Sequence, residues 1–252
     1  MITQALLDKL RARQPAFGFV LTLDAPGILD IVGAGWDFIW VDMQHGYITE
    51  ERLKHILRTC DLVGVSGLVR PPGQNRQLIS RILDWDAAGV IVPQVHTPEQ
   101  AAEILRAARF PPLGDRSYGG PRVLFRNGPD YCRRANERQL VTVQIESPEA
   151  VANAEALAGL DGVDALMLGP NDLELRIGAP IGADLSHPQL ARAATAVGAA
   201  CEQHGKAGMA IARSEDQIGR YLDLGFRLIV VGADSVFLRQ GRDAARQIIE
   251  RF

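Results

Sequence analysis

Eight short, β-rich apolar runs recur along the chain, and that rhythm limits the fold more than any other feature. They are FGFVLTL (17–23), FIWVDM (38–43), GLVRP (67–71), GVIVPQV (89–95), LVTVQIE (140–146), ALMLG (165–169), AGMAI (207–211) and LIVVG (228–232). The runs are continuously apolar rather than alternating, the pattern of parallel strands covered on the outside by helices. Between them lie stretches with helical spacing. TEERLKHILRTCDLVG opens on a Thr cap position and puts Leu53, Ile56 and Leu57 on one face; PEQAAEILRAARF and HPQLARAATAVGAACEQHG behave alike. Strand–helix alternation repeated eight times predicts an α/β chain closed into a (β/α)8 TIM barrel. The competing architecture, an open doubly wound sheet, carries a Gly-rich fingerprint after its first strand, and LTLDAPG (21–27) is not one.

A length of 252 residues suits one such barrel, and nothing in the chain reads as a linker, so residues 1–252 are expected to form a single domain. The N-terminal segment reads as an amphipathic helix through Ile2, Leu6, Leu7 and Leu10 rather than a signal peptide. One connection breaks the rhythm: about 30 residues rich in Gly, Pro and Arg, from FPPLGDRSYGG to the fifth strand, of the kind that is functional or mobile in compact domains. A net charge of −3 lacks the basic footprint of a nucleic-acid binder, and no apolar run reaches the length of a membrane span. Cys60, Cys132 and Cys201 are odd in number and widely spaced, which suits free thiols in a reducing compartment and a cytoplasmic protein.

In barrels of this kind chemistry gathers at the C-terminal ends of the strands. Here the second strand ends in Asp42, Gln44 and His45, the third in Arg70, the fifth in Gln144 and Glu146, and the sixth runs into Asn171 and Asp172. Asp84, in the helix after the third strand, is expected to reach back toward the same mouth. Singly, each has a plain structural reading as a helix cap, an ion-pair partner or a buried histidine; together they converge on one place. Glu146 and Asp172 offer oxygen ligands to Mg²⁺, Mn²⁺ or a similar divalent ion with exchangeable positions left for substrate. Arg70 is suited to stabilising a developing oxyanion, and His45 to general-base work, its tautomer fixed by a carboxylate such as Asp84. Metal, cation and base together describe enolisation of a chelating 2-oxo acid.

The motifs WVDMQHG, VRPPGQN, ILDWDAAGVIVPQV, GDRSYGG, VQIES and LGPNDL, in this order, resemble the HpcH/HpaI family over nearly the whole chain. These are metal-dependent, class II pyruvate aldolases, among them 4-hydroxy-2-oxoheptanedioate and 2-dehydro-3-deoxyglucarate aldolases. The resemblance implies aldol cleavage of 4-hydroxy-2-oxo acids to pyruvate and an aldehyde, a Mg²⁺, Mn²⁺ or Co²⁺ cofactor, and a homohexamer assembled by exchange of the last helix. It implies Glu146 and Asp172 as metal ligands, His45 as base, Asp84 as the carboxylate supporting it, and Arg70 as the enolate-stabilising residue. Gln144 and the backbone at Asn171 and Asp172 match pyruvate-contacting positions. Two departures stand out: Gln44 where the family's motif has Glu, and Glu174 where it commonly has Ser.

Other functions compete. Schiff-base chemistry needs a well-placed lysine, and the chain has three, Lys9, Lys54 and Lys206, none at a strand's C-terminal end. A citramalyl- or malyl-CoA-type lyase shares the barrel and metal pair, and Arg116, Arg122, Arg126, Arg133 and Arg134 offer a docking surface for CoA phosphates. The same arginines also suit a solvated loop that meets a carboxylated aldehyde or a neighbouring subunit. A non-catalytic 2-oxo acid binding barrel is the third reading.

Overall fold

The computed structural model describes residues 4–252, so the expected contribution of Ile2 to the first helix lies outside the described residues. Eight parallel strands close into a barrel in sequence order. They are β1 (Ala16–Leu21), β2 (Phe38–Asp42), β3 (Ser66–Arg70), β4 (Gly89–Val92), β5 (Leu140–Ile145), β6 (Ala165–Leu168), β7 (Ala207–Ile211) and β8 (Phe226–Ala233). The helices begin with α1 (Gln4–Arg11), α2 (Gly27–Val32), α3 (Glu50–Val63), α4 (Arg76–Asp84) and α5 (Pro98–Ala108). Next come α6 (Pro121–Asn127), α7 (Tyr131–Arg138), α8 (Pro148–Ala152) and α9 (Ala154–Ala158). The last four are α10 (Pro170–Ile177), α11 (Pro188–Gln203), α12 (Glu215–Asp223) and α13 (Asp234–Ile249). The expected (β/α)8 barrel is the observed fold.

Period-2 geometry divides each strand between two cores. Ile39 and Val41 of β2, and Val141, Val143 and Ile145 of β5, face outward into the layer under the helices. Phe38 and Trp40, Leu68, Leu140, Met167, Met209 and Leu228 face inward and fill the barrel, with Leu6 and Leu7 of α1 closing its base. Both faces are apolar in these lower layers, which is why the strands read as continuous runs. Apart from Ser66 at the start of β3, the inward positions turn polar toward the top: Phe38–Trp40–Asp42 on β2, Leu68–Arg70 on β3, and Leu140–Thr142–Gln144 on β5, with Glu146 next in line.

Local signals set the helix starts at the mouth. The side chains of Thr49, Asn75, Thr97, Ser147 and Ser214 each accept from a backbone N–H in the first turn that follows them. At β5 the capping is done by Ser147, whose Oγ accepts from Ala150 N at 3.0 Å, and this frees Glu146, one residue earlier, for other work. The long Arg-rich connection is not a bare loop. It contains α6 and α7, with Phe110, Val123, Tyr131 and Ala135 packed as a small core of their own. The two helices span only seven and eight residues, too short for their periodicity to stand out among Gly, Pro and Arg. Because it joins the end of α5 to the start of β5, this segment lies at the base of the barrel, not at the mouth. No helix among the described residues is long and apolar enough to cross a membrane.

Candidate active site

Asp42 and Arg70 stand opposite each other in the β2–β3 register and form the floor of the mouth. Arg70 donates to both carboxylate oxygens, from Nε at 2.9 Å and Nη2 at 2.6 Å, in a bidentate fork. Its guanidinium lies 4.7 Å from the Trp40 ring centroid, the inward residue one layer below. Asp42 Oδ1 also accepts from the backbone of Gln44 at 3.0 Å and His45 at 3.3 Å, which turns the chain back and sets His45 on the rim. The His45 side chain is exposed and has no hydrogen-bond partner among the described residues.

Glu146 is buried just past the end of β5. Its Oε1 accepts from Gln94 N at 2.5 Å. Gln94 follows β4 with φ +58°, a left-handed conformation that costs a non-glycine residue on the order of 1 kcal/mol. Three partners hold it there. Gln74 Nε2 donates to its carbonyl at 2.6 Å, Arg176 Nη2 donates to its Oε1 at 3.0 Å, and Glu146 receives its N–H. The strain therefore aims one amide at one carboxylate oxygen. Burial pushes the Glu146 carboxyl above its ordinary range; the Gln94 N–H opposes this and the neighbouring Asp172 charge adds to it.

Asp172 sits in the first turn of α10. Gly169, the N-cap of that helix, supplies no side-chain cap, so the amides of Asn171 and Asp172 face the mouth end of the helix dipole without one. Gly169 also occupies an inward position, where any side chain would fill the mouth. A Cβ there would lie 2.9 Å from Gln144 Nε2, 3.0 Å from Glu146 Cβ and 3.1 Å from Glu146 Oε2. Gln144 is buried on β5, and its Oε1 lacks a hydrogen-bond partner among the described residues, as does Gln44 Oε1.

This donor set fits a hard divalent cation. Two carboxylates are held close enough for one to raise the pKa of the other, glycine keeps the space beside them open, and the neighbouring Gln144 has an unsatisfied acceptor oxygen. No group of three or more His, Cys, Asp and Glu side chains is gathered in ligand range among the described residues. An ion held by Glu146 and Asp172 would thus keep its remaining positions for water and substrate oxygens.

One expected member is elsewhere. Asp84 is the last residue of α4, and barrel helices run antiparallel to the strands, so it lies at the base, at the opposite end from His45. There its Oδ1 accepts from Arg116 Nη2 at 2.6 Å, and burial keeps its carboxyl above the usual range against the pull of that arginine. Within one chain it does not orient His45. The Arg-rich segment is likewise spent on structure at the base. Arg122 and Arg126 pair with Asp61, and Arg134 donates to the Asn127 carbonyl at 2.6 Å. Reading strand ends misses Gln94, Gly169 and Trp40, three residues that shape the site. The only trace of the first two is that they lie at the ends of apolar runs, and the inward periodicity points to the third.

The family model for HpcH/HpaI aldolase/citrate lyase matches residues 17–240, most of the barrel and all of the mouth residues. The chain belongs to this family. Among HpcH/HpaI relatives, it is 37% identical over 246 residues to a 4-hydroxy-2-oxovalerate aldolase of Novosphingobium aromaticivorans, covering 96% of this chain and 93% of the relative. It is 35% identical to a hydroxypyruvate/pyruvate aldolase of Delftia acidovorans, covering 92% and 87%. A crystal structure of an HpcH/HpaI aldolase/citrate lyase family protein from Burkholderia cenocepacia superposes with a TM-score of 0.89 at 31% identity, over 98% of this chain and 100% of the other.

Proposed function

We propose that this chain is a class II pyruvate aldolase that cleaves 4-hydroxy-2-oxo acids to pyruvate and an aldehyde, and runs the reverse condensation. The observation that carries the reading is the charged and amide-bearing top layer of a largely apolar barrel. Arg70, Gln144, Glu146 and Asp172 meet there around the space that Gly169 leaves open. The similarity to aldolases of this substrate class supports it.

In this reading Glu146 and Asp172 hold the divalent ion, Mg²⁺, Mn²⁺ or Co²⁺, which when bound supplies Lewis-acid polarisation of the keto oxygen. Gln144 and the amides of Asn171 and Asp172 orient the substrate carboxylate at the positive end of α10. His45 takes the proton from the 4-hydroxyl. The C3–C4 bond breaks, its electron pair passes to the 2-oxo group to give the pyruvate enolate, and the aldehyde leaves. Arg70, held rigid by Asp42 and Trp40, donates to the enolate oxygen. A proton returned to C3 completes pyruvate. Imine chemistry has no group to use. Lys9 pairs with Asp37 at 2.7 Å, Lys54 lies over Trp85, and Lys206 lies just ahead of β7 at the base.

A docking surface for CoA at the mouth finds no support in the arginines of residues 110–139, which lie at the base. We also place the protein in the cytoplasm, on the strength of three unpaired cysteines, with Cys60 and Cys201 pushed up to about 12 by burial. Assembly into a homohexamer through α13 is part of the proposal. Its first turn is anchored by Asp234 and Phe237, while Leu238, Ile248 and Ile249 lie exposed on the rest of the helix.

Exchange of pyruvate methyl protons with deuterated water, followed by NMR with no aldehyde present, tests the reading. Exchange should require the metal, stop on chelation, resume with Mg²⁺, Mn²⁺ or Co²⁺, and survive borohydride in the presence of pyruvate. Metal-loaded enzyme that gives no exchange above the metal-only background would sink the aldolase in favour of a passive 2-oxo acid binder. A requirement for a thioester substrate would move the chain to the lyases.

A further inference from the structure

We infer that Glu174 and Arg213 form a brace that positions the first turn of α10, and through it Asp172 and the amides of Asn171 and Asp172. The inference rests on the metal-dependent reading above. α10 has eight residues and no side-chain cap, so neither helix length nor capping holds its N-terminal turn in place. The brace does so from behind. Glu174 is fully buried, and its Oε2 accepts from Gly182 N at 2.7 Å. Its Oε1 has no hydrogen-bond partner among the described residues and meets Arg213 Nη1 as a charge only, at 3.9 Å. The other arm of the same guanidinium, Nη2, donates to Asn171 Oδ1 at 2.8 Å. Arg213 stands on the loop after β7, where its own N–H is held by Gln217 Oε1 at 2.7 Å. Three segments are therefore tied together: the loop after β7, the first turn of α10 and the turn at Gly182.

Spacing explains the division of labour. Asn171 and Glu174 are three residues apart and share one face of α10, while Asp172 is rotated about 100° away toward the mouth. The brace thus grips the back of the turn whose front presents the carboxylate. A fully buried carboxylate is retained only against compensating charge and hydrogen bonds, and here that compensation fixes geometry beside the metal position. Arginine suits the place because one arm of its fork donates to Asn171 Oδ1 while the other sets its charge 3.9 Å from the Glu174 carboxylate, which a lysine ammonium on a flexible stem does not reproduce. Glu174, a departure from the family's usual Ser, thereby acquires a positioning role, and Arg213 is its partner.

The test is titration of metal-free protein with MnCl2, read from the electron paramagnetic resonance signal of free Mn²⁺, alongside steady-state kinetics. Arg213→Met should weaken Mn²⁺ binding about tenfold or more, as removal of residues that orient metal ligands does. KM for a 4-hydroxy-2-oxo acid should rise with it, while kcat at saturating metal and substrate falls by less than about threefold. Arg213→Lys should recover part of the affinity. Glu174→Gln/Arg213→Met strands no buried charge, and it should fold while keeping the weak Mn²⁺ binding. Mn²⁺ affinity within about twofold of the parent in the folded variants, well short of the effect that loss of a ligand-orienting residue has, overturns the brace alone. So does full recovery in the double variant, which would trace the defect to the stranded carboxylate. A parent that binds no Mn²⁺ overturns the metal-dependent reading and the brace with it.

Discussion

Two buried arginines, each paired with an aspartate, sit at opposite ends of this barrel and do different work. At the base, Arg109 spends its whole guanidinium on the fold. It donates to the carbonyls of Gly162 at 3.1 and 2.5 Å, Asn136 at 3.0 Å and Gln139 at 2.6 Å, and to the Asp164 carboxylate. At the mouth, Arg70 forks onto Asp42 through Nε and Nη2 only, and its Nη1 has no acceptor among the described residues. A donor already satisfied by main-chain oxygens pins loops. A rigid donor with a free arm is pre-organised for a charge that arrives with the substrate. The same contrast separates Asp84, closed onto Arg116, from Glu146, one oxygen held by Gln94 and the other facing the gap at Gly169.

The sharpest way to stress that contrast is at the rim. His45→Ala should lower kcat for aldol cleavage by about 10²–10⁴, the range for a positioned general base, with much less effect on pyruvate methyl exchange. Its side chain makes no protein hydrogen bond among the described residues, so the melting temperature should hardly move; near-normal cleavage would remove His45 from the mechanism. Arg70→Ala should cost about 10²–10³ in kcat and depress both cleavage and exchange, since both pass through the enolate. Asp42 keeps the amides of Gln44 and His45, so unfolding by heat should shift less than for the base variant that follows.

Arg109→Met should reverse the pattern. Leaving four acceptors at the base without their donor should destabilise the fold by about 3–5 kcal/mol and lower Tm on the order of 10 °C. The kcat per folded molecule should stay within about twofold, because nothing at the mouth loses a contact. A loss of kcat comparable to that of Arg70→Ala would break the division between the two ends. The smallest effect belongs to a scaffold cap near the site. Thr97 Oγ1 accepts from Gln100 N and Gln100 Oε1 accepts from Thr97 N, a capping box at the start of α5. Thr97→Ala should cost about 1 kcal/mol in calorimetry and leave Mn²⁺ affinity unchanged.

Much of the mouth was legible in the primary structure because strand direction is common to all eight units. Once the runs are read as parallel strands, every residue after a run lies at one end, so Asp42, His45, Arg70, Gln144, Glu146 and Asp172 fall together. Asp84 shows where that logic stops. It follows a strand at a distance of one helix, and a helix of nine residues carries the chain back to the opposite face. The Arg-rich segment follows the same rule: of its alternatives, a docking surface at the mouth of its own barrel does not hold, because its place between α5 and β5 puts it at the base.

The chain's own pattern determines the architecture, the direction of the strands and which face of each strand can be polar, because hydrophobic periodicity and helix caps act over a few residues. Only the closed barrel decides which polar residues cooperate. The left-handed turn at Gln94 has meaning only beside Glu146, which is 52 positions away. The opening at Gly169 matters only because β5 and β6 are neighbours, and the Arg213 fork only because the loop after β7 lies behind α10. These contacts join residues far apart in the chain through short-range forces, and short-range forces act only after the fold has brought their partners within a few ångströms.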